Sequence, residues 1–183
     1  IPISVDTTKS KVMEESINSG VSLVNDISGL LFDSNSINII KKYHIPVVIM
    51  HSPWKPKTMQ NEYNYTKPIM NHLIDYFNER KSFLENNNIH NIIIDPGIGF
   101  GKSVEHNFEI IKKLNELTIL NLPILIGASN KSFIGKTLNV DLSLRKEGNT
   151  LTEAISFKNG ARLFRVHDVA STKRTLKLVE YFF

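Results

Sequence analysis

The sequence predicts an α/β fold, because short apolar strands alternate with helical segments six times along 183 residues. The predicted strands are apolar on both faces, which is typical of parallel strands covered on both sides. Two architectures fit this alternation, a doubly wound sheet and a (β/α)8 barrel. Six units suffice for the first and are two short of the second, so the alternation alone leaves both open.

The first three units occupy the N-terminal part of the chain. Their strands are predicted at residues 3–5, 21–24 and 46–50, and the helices between them at residues 9–19 and 35–43. Gly20 follows the first helix at a position where a helix C-cap glycine is common. A polar loop over residues 51–65 follows the third strand.

The last three units continue the alternation. The remaining strands are predicted at residues 91–94, 123–126 and 163–166, and the remaining helices at residues 67–86, 104–117, 131–137, 149–159 and 171–182. No low-complexity linker or internal repeat divides the sequence. Residues 1–183 are therefore interpreted as one domain.

Composition excludes several classes of function. The chain has no cysteine, which excludes disulfides and cysteine-based metal or nucleophile sites. No apolar run approaches the roughly 18 residues that cross a bilayer, and no basic tract suggests nucleic-acid binding. The formal charge of +4 still suits a small anionic substrate. We therefore expect small-molecule ligands, with neither nucleic acid nor a membrane as a partner.

Polar residues lie at or just after the carboxyl end of each predicted strand. They are Asp6, Asn25 with Asp26, His51, Asp95, Ser129-Asn130-Lys131, and Arg165 with His167. Any one of them could be a cap or turn residue. In parallel α/β folds, however, the site lies at the carboxyl ends of the strands. The whole set therefore indicates one site on that face.

The glycine-rich stretch at residues 95–103 ends like a phosphate-binding loop. A P-loop needs glycine five residues before Gly101, where the chain has Pro96. The dinucleotide-binding pattern that starts at Gly97 needs a third glycine where Lys102 stands. Both phosphate-loop interpretations therefore fail, and a tight strand-to-helix loop remains.

The strand-exit residues predict a flat, guanidine-like heterocycle with a phosphorylated arm. A carboxylate can accept two hydrogen bonds from an N–H/NH2 edge, and an Asn adds an acceptor and donors. The candidates for these contacts are Asp6, Asn25 and Asp95. Lys131 can donate to a ring carbonyl. Arg165 and His167 lie two apart on the predicted last strand, so they point to one side and suit an anion.

Seven motifs at these positions resemble the dihydropteroate synthase family, in that family's order and over essentially the whole chain. They are Ser4-Val5-Asp6-Thr7, Asn25-Asp26-Ile27, Met50-His51, Pro56-Lys57-Thr58-Met59-Gln60, Asp95-Pro96-Gly97-Ile98-Gly99-Phe100-Gly101-Lys102, Ser129-Asn130-Lys131-Ser132 and Arg165-Val166-His167-Asp168-Val169. The resemblance implies a pterin-binding (β/α)8 TIM barrel, of which the chain holds the third to eighth βα units. The first two units would lie upstream of Ile1. We expect this stretch alone to lack part of the catalytic rim and to be inactive by itself.

The resemblance also implies an activity, a transferase reaction on the folate pathway. The family condenses 6-hydroxymethyl-7,8-dihydropterin pyrophosphate with p-aminobenzoate to give 7,8-dihydropteroate and pyrophosphate, and sulfonamides mimic p-aminobenzoate. Pyrophosphate leaves first and the aniline nitrogen then attacks, without a covalent enzyme nucleophile. Mg2+ is the implied cofactor. Its expected Asn ligand would lie upstream of Ile1, so no metal ligand is predicted within this chain.

Roles for individual residues follow from the matching positions. The implied pterin-binding residues are Asp6, Asn25, Met50, Asp95, Lys131 and Arg165, and the implied catalytic residues are Lys131, Arg165 and His167. The p-aminobenzoate side is expected at Phe100 and Ser132, and the pyrophosphate at Arg165 and His167. The resemblance further implies a cytoplasmic homodimer that pairs through the helices late in the barrel.

Two alternatives stay open. One is a pterin-binding methyltransferase-type barrel, which shares a pterin-binding Asp and Asn, and the other is a pterin-binding remnant without catalysis, which departures from the family suggest. The first two strands have no counterpart, and Asn130 stands where the family usually has Arg. Glu153 and Lys158 stand where it is usually apolar. The basic residues after the last two strands favour a pyrophosphate-bearing substrate, and hence the synthase.

The other histidines and the aromatic residues of the long loop are given no role in the site. His44, His72, His90 and His106 lack metal-ligand spacing and are predicted to lie at the surface. Packing within the loop is predicted for Trp54, Tyr63 and Tyr65.

Overall fold

The computed structural model describes residues 1–53 and 64–182. The strands in this part of the chain are β1 Ser4–Asp6, β2 Leu23–Asp26, β3 Val47–Met50, β4 Ile92–Asp95, β5 Ile124–Ile126 and β6 Ala161–Phe164. The α helices are α1 Ser10–Asn18, α2 Ser36–Tyr43, α3 Ile69–Asn86, α4 Val104–Lys112, α5 Ser132–Leu138, α6 Lys146–Lys158 and α7 Val169–Val179. Two 3-10 helices, Leu114–Leu120 and Leu142–Leu144, precede β5 and α6.

The sheet is part of a (β/α)8 barrel. All its described strands are parallel and lie side by side in chain order from β1 to β6. A doubly wound sheet would instead reverse its strand order at a switch point. The sheet also curls, since Asp6 at the end of β1 meets Arg165 just after β6, with Oδ2 and Nη2 3.1 Å apart. The barrel prediction is confirmed.

Helices pack on the outer face of the curled sheet. Helix α3 buries Leu73, Phe77 and Leu84 at near-helical spacing. Strand β3 is buried along its whole length, which accounts for its wholly apolar sequence. This packing fixes the strands, and because they are parallel their carboxyl ends open on one rim.

Two strand boundaries differ from the predictions in a way that matters for the site. Strand β2 extends to Asp26, so Asn25 lies within the strand. Strand β6 begins already at Ala161, because Gly160 with φ +108° lets the chain turn directly from α6 into the sheet. Strand β6 ends at Phe164, which pairs with Ile126 at the end of β5. The prediction that Arg165 and His167 lie on a strand was wrong, since both follow it.

Two helices also differ from the predictions. The predicted helix over residues 104–117 is divided, because α4 ends at Lys112 and the following 3-10 helix closes at Asn121, which is left-handed with φ +53°. Helix α6 begins at Lys146, three residues earlier than predicted, so Asn149 belongs to its first turn. None of the described helices has the length and apolar character needed to cross a bilayer.

The prediction that the remaining histidines lie at the surface was wrong for two of them. His72 and His106 are half-buried on either side of Tyr65, whose ring centroid lies 5.0 and 5.2 Å from theirs. The Tyr65 hydroxyl donates to the carbonyl oxygen of Gly101 at 3.2 Å, so Tyr65 contacts both α3 and the segment that carries α4. Trp54, Tyr63 and the motif at residues 56–60 lie outside the described residues.

Helix α4 begins with a side-chain cap that can be tested. Ser103 Oγ accepts the backbone N–H of His106 at 3.2 Å. Ser103→Ala is expected to lower the free energy of unfolding by about 1 kcal/mol, because it leaves that N–H without its acceptor. Ser103→Thr keeps the acceptor and should cost less. Urea unfolding measures the stability of both variants. A Ser103→Ala variant as stable as the wild type would contradict the capping role.

Candidate active site

A cavity of about 580 Å³ opens at the carboxyl ends of the strands. Seven residues predicted for the site line it, namely Asp6, Asn25, Met50, Asp95, Phe100, Lys131 and Arg165. They come from the ends or exits of all six described strands. The structure therefore brings together residues that are far apart in the sequence, at the rim where a barrel carries its site.

Asp95 is the buried carboxylate of this cavity. Its Oδ1 accepts the backbone N–H of Gly97 at 2.8 Å. Burial raises the pKa of Asp95 to about 6, while the Gly97 N–H and the cations nearby oppose that rise. The group is therefore mainly ionised at neutral pH, and it can accept hydrogen bonds from a ligand.

Asp6, Asn25 and Arg165 form a connected group across the cavity. Asn25 Nδ2 donates to Asp6 Oδ1 at 2.5 Å, and Arg165 Nη2 donates to Asp6 Oδ2 at 3.1 Å. The amide oxygen of Asn25 is buried and has no hydrogen-bond partner within the described part of the chain. Because a buried acceptor without a partner is costly, this oxygen is a candidate contact for a ligand N–H.

Lys131 brings a cation to the same cavity. Its ammonium nitrogen lies 3.9 Å from the ring centroid of Phe100, which is a cation–π contact. Burial lowers the pKa of Lys131, and the negative charge of Asp95 opposes that change. A hydrogen-bond donor and an acceptor with opposite charges thus line one space, which suits a ring that carries both a carbonyl and N–H groups.

A second lysine, Lys102, is buried beneath the glycine-rich loop and was missed as a site residue. Its ammonium nitrogen lies 2.9 Å from the carbonyl oxygen of Phe100, 3.3 Å from that of His51 and 3.1 Å from Nδ1 of His51. With Lys102 as the donor, the His51 proton lies on Nε2, which is 3.1 Å from Nε2 of His72. The sequence signals were that Lys102 interrupts a dinucleotide-binding pattern and ends the motif at residues 95–102.

This network holds the loop that carries Phe100 in place from below. Burial lowers the pKa of Lys102 to about 7, and the charge of Asp95 opposes that fall. Burial also lowers the pKa of His51 well below its usual value, and the charge of Lys102 adds to the effect. His51 is therefore neutral at neutral pH and acts here as a hydrogen-bond bridge.

Two predicted site residues are not among those that line the main cavity of about 580 Å³. His167 Nδ1 is 3.0 Å from Ser129 Oγ, and this contact ties the segment after β6 to the segment after β5. Ser132, at the start of α5, lines a separate cavity of about 520 Å³ together with Lys136 and Arg145. The predicted roles of His167 at a pyrophosphate and of Ser132 at p-aminobenzoate remain predictions.

Six further residues line the main cavity without having been predicted for the site. They are Thr7, Thr8, Lys9, Val12, Ile27 and Gly127. The threonines and Lys9 directly follow the exit of β1, so their position next to Asp6 was the available signal. Their hydroxyl groups and charge make that side of the rim polar.

The described residues do not form a metal site. No group of three His, Cys, Asp or Glu side chains within residues 1–53 and 64–182 is arranged to hold an ion. The Asp6 carboxylate is already shared between Asn25 and Arg165. Mg2+ therefore stays a prediction that rests on the family resemblance.

Comparison with known proteins agrees with this geometry. The family described as pterin binding enzyme matches residues 1–167. The dihydropteroate synthase of Clostridium beijerinckii is 38% identical over 182 residues, which cover 98% of this chain and 65% of that protein. The structure of the Clostridium difficile dihydropteroate synthase in the presence of pteroic acid is 39% identical with a TM-score of 0.92, and the match covers 100% of this chain and 68% of that one.

A third relative extends the comparison to another ligand. The Xanthomonas albilineans dihydropteroate synthase with 4-aminobenzoic acid is 30% identical with a TM-score of 0.91, covering 100% of this chain and 65% of that one. The chain spans about two thirds of the length of the curated relatives it matches. On these matches, the curled sheet and the strand-end cavity, the chain belongs to the pterin-binding enzyme family, and these relatives within it are dihydropteroate synthases.

Proposed function

We propose that this protein acts as a dihydropteroate synthase, joining 6-hydroxymethyl-7,8-dihydropterin pyrophosphate to p-aminobenzoate. One observation carries the proposal: buried acceptors and a partly buried cation converge in a single strand-end cavity. These groups are Asn25, Asp95 and Lys131. The ligands of two relatives, pteroic acid and 4-aminobenzoic acid, support the same pair of substrates.

The pterin ring fits the donors and acceptors of the cavity. A pterin has an edge with N–H and NH2 donors and a carbonyl oxygen nearby. In the proposed complex, the Asp95 carboxylate accepts from the donor edge and the Asn25 amide oxygen accepts from a further N–H. Lys131 donates to the carbonyl oxygen, and Met50 contacts the ring.

The proposed reaction forms no covalent bond to the protein. The bond between the pterin methylene carbon and a pyrophosphate oxygen breaks, and its electron pair leaves with pyrophosphate. The amine nitrogen of p-aminobenzoate then bonds to that carbon and loses one proton. Arg165 lies at the rim, where its charge would stabilise the departing anion. The remaining rate acceleration comes from holding the two substrates side by side.

Product formation tests this proposal. The chain is incubated with both substrates and Mg2+, alone and fused behind the first two βα units of the Clostridium beijerinckii relative, and dihydropteroate is measured by chromatography. We expect the pterin substrate to bind to both proteins and the fusion to form product. Binding without product in the fusion would indicate a non-catalytic remnant. Binding of methyltetrahydrofolate in preference to the pterin pyrophosphate, measured in a parallel titration, would indicate the methyltransferase alternative.

The affinity for a pterin should depend on pH through Asp95. The ligand-free carboxyl has a pKa of about 6, and the bound ligand needs it ionised. Binding below pH 6 must therefore release a proton, so the affinity should fall by up to about tenfold per pH unit below that value and stay level just above it. Fluorescence titration with 6-hydroxymethylpterin from pH 5 to 7.5 measures this. An affinity that rises as the pH falls from 6 to 5 would contradict the assignment.

A homodimer and a cytoplasmic location complete the proposal, and both rest on the family resemblance. The outer faces of α6 and α7 expose Leu151, Ile155 and Leu178, which suits pairing with a second copy. Glu153 does not interrupt this face, because its side chain is buried, and this burial raises the pKa of its carboxyl. Sedimentation measures the oligomeric state.

A further inference from the structure

Asn130 lies at the outer corner of the turn that leads from β5 into α5, and its backbone is left-handed with φ +63°. Asn tolerates this conformation better than most residues. Three of its polar groups are bonded to α6 or to the residue before it. Its N–H donates to Asn149 Oδ1 at 2.9 Å, its side-chain oxygen accepts from Asn149 Nδ2 at 2.8 Å, and its carbonyl oxygen accepts from Arg145 Nη1 at 2.8 Å.

Arg145 is itself held close to α5. A Cβ on Gly135 would lie 2.5 to 2.6 Å from three atoms of the Arg145 guanidinium, so the absence of a side chain at Gly135 provides the room for it. The guanidinium thus lies between α5 and the turn. Because both partners of Asn130 sit at the start of one helix, the turn is attached to a rigid element.

The residue directly after this corner is Lys131, which extends into the strand-end cavity. Its backbone N–H donates to the Ala128 carbonyl at 3.2 Å, and its own carbonyl accepts from the Ile134 N–H at 3.2 Å. Its side-chain stem passes Gly99, where a Cβ would lie 3.0 Å from Lys131 Cδ. The backbone of Lys131 is therefore placed by the turn, and its side chain then fits a narrow path to Phe100.

We propose that Asn149 and Arg145 are positioning residues that hold the Asn130 turn, and through it place Lys131 in the cavity. The observation that points to this is a pair of hydrogen bonds between Asn130 and Asn149, which are 19 residues apart in the sequence. The Asn149 side chain bonds both the backbone N–H and the side-chain oxygen of Asn130. Asn130 occupies a place where the family usually has Arg. In this chain, its pairing with Asn149 attaches the turn to α6. The role in ligand binding rests on the proposed pterin function, whereas the role in placing Lys131 does not.

A double-mutant cycle tests the proposal, with 6-hydroxymethylpterin as the probe. Asn149→Ala should lower the affinity about tenfold in the wild-type background, because Lys131 no longer donates from a fixed position. In a Lys131→Ala background the same change should lower it less than about twofold. Equal losses in the two backgrounds, or none in the first, would overturn the proposal.

Thr150→Ala is the matched control, because the Thr150 hydroxyl donates to the carbonyl oxygens of Lys146 and Glu147 in its own helix. This variant should leave the affinity unchanged. Circular dichroism and urea unfolding check that Asn149→Ala is folded. A pterin affinity lowered as much by Thr150→Ala as by Asn149→Ala would show a general effect of α6 and contradict a specific role for Asn149.

A ligand-free measurement separates this proposal from the proposed function. NMR of ¹³C-methylated lysines, with the Lys131 signal assigned by Lys131→Arg, reports the environment of that side chain. Burial holds the pKa of Lys131 below its ordinary value, so Asn149→Ala should raise it as the side chain moves into solvent. If the wild type binds no pterin, the proposed function fails and this shift still decides the positioning role. An unchanged Lys131 signal would overturn it.

Discussion

Replacement of Asp95 by Asn is expected to lower the affinity for 6-hydroxymethylpterin about 100-fold and to abolish product formation. The Asp95 carboxylate offers two oxygen acceptors to the donor edge of a pterin, and hydrogen bonds to a charged group contribute about 1.5–3 kcal/mol each. An Asn keeps one acceptor and places an NH2 group where the ligand already has donors. Calorimetric titration and the chromatographic assay measure the two effects.

The loss should not result from unfolding. Burial of the Asp95 carboxylate is unfavourable, as its raised pKa indicates, so a neutral amide of the same size should leave the fold at least as stable at pH 7. Circular dichroism should show unchanged helix content. Asp75→Asn is the control, because Asp75 is exposed on α3 and pairs with Lys67. Near-normal pterin affinity in Asp95→Asn would contradict the assignment of the cavity.

Gly97→Ala is expected to lower the free energy of unfolding by about 3 kcal/mol or more. Gly97 has φ +71°, and a Cβ there would overlap the carbonyl oxygen of His51 and lie 3.3 Å from the Lys102 ammonium nitrogen. The overlap is with backbone and cannot be relieved by a rotamer change. The loop would have to move, which would also disturb the N–H that Gly97 donates to Asp95.

Gly20→Ala separates the overlap from backbone strain. Gly20 also has a positive φ, +99°, but no atom lies within 4 Å of the Cβ it would gain. Only the strain remains, and it should cost about 1–2 kcal/mol. Urea unfolding of the two variants measures the difference. Equal destabilisation would mean that the loop beneath Gly97 is not packed as described.

The parts of the site that lie at strand ends could be predicted from the sequence. Each strand of a parallel barrel delivers its carboxyl end to one rim, so a polar residue after an apolar run has a known place once the alternation is seen. Asp6, Asp95 and Lys131 follow this rule, and all three line the cavity. The order of the units alone could not decide between a barrel and a doubly wound sheet, because that choice depends on how the strands pair.

Contacts between distant segments could not be predicted in the same way. Lys102 is bonded to His51, which is 51 residues away, and the sequence between them gives no periodic signal for that pairing. The position of Arg165 relative to the sheet depended on where β6 ends, which its pairing with β5 decides. In both cases tertiary packing fixed what local patterns left open.

Asn130 shows how the structure changes the meaning of a substitution. In the sequence, Asn130 only indicates that a positive charge usual in the family is missing next to Lys131. In the structure, Asn130 adopts a left-handed backbone conformation, and its side chain pairs with that of Asn149. We therefore predict that Asn130 affects the cavity by placing Lys131. The double-mutant cycle measures this dependence on Lys131.

The most direct test of a pterin site at the strand ends is an amide ¹H–¹⁵N NMR titration of the protein with 6-hydroxymethylpterin. We predict saturable shifts that cluster at Asn25, Gly97, Gly99 and Lys131, with the helical outer layer unchanged. The absence of shifts at millimolar pterin, or shifts concentrated away from the carboxyl ends of the strands, would contradict the central claim.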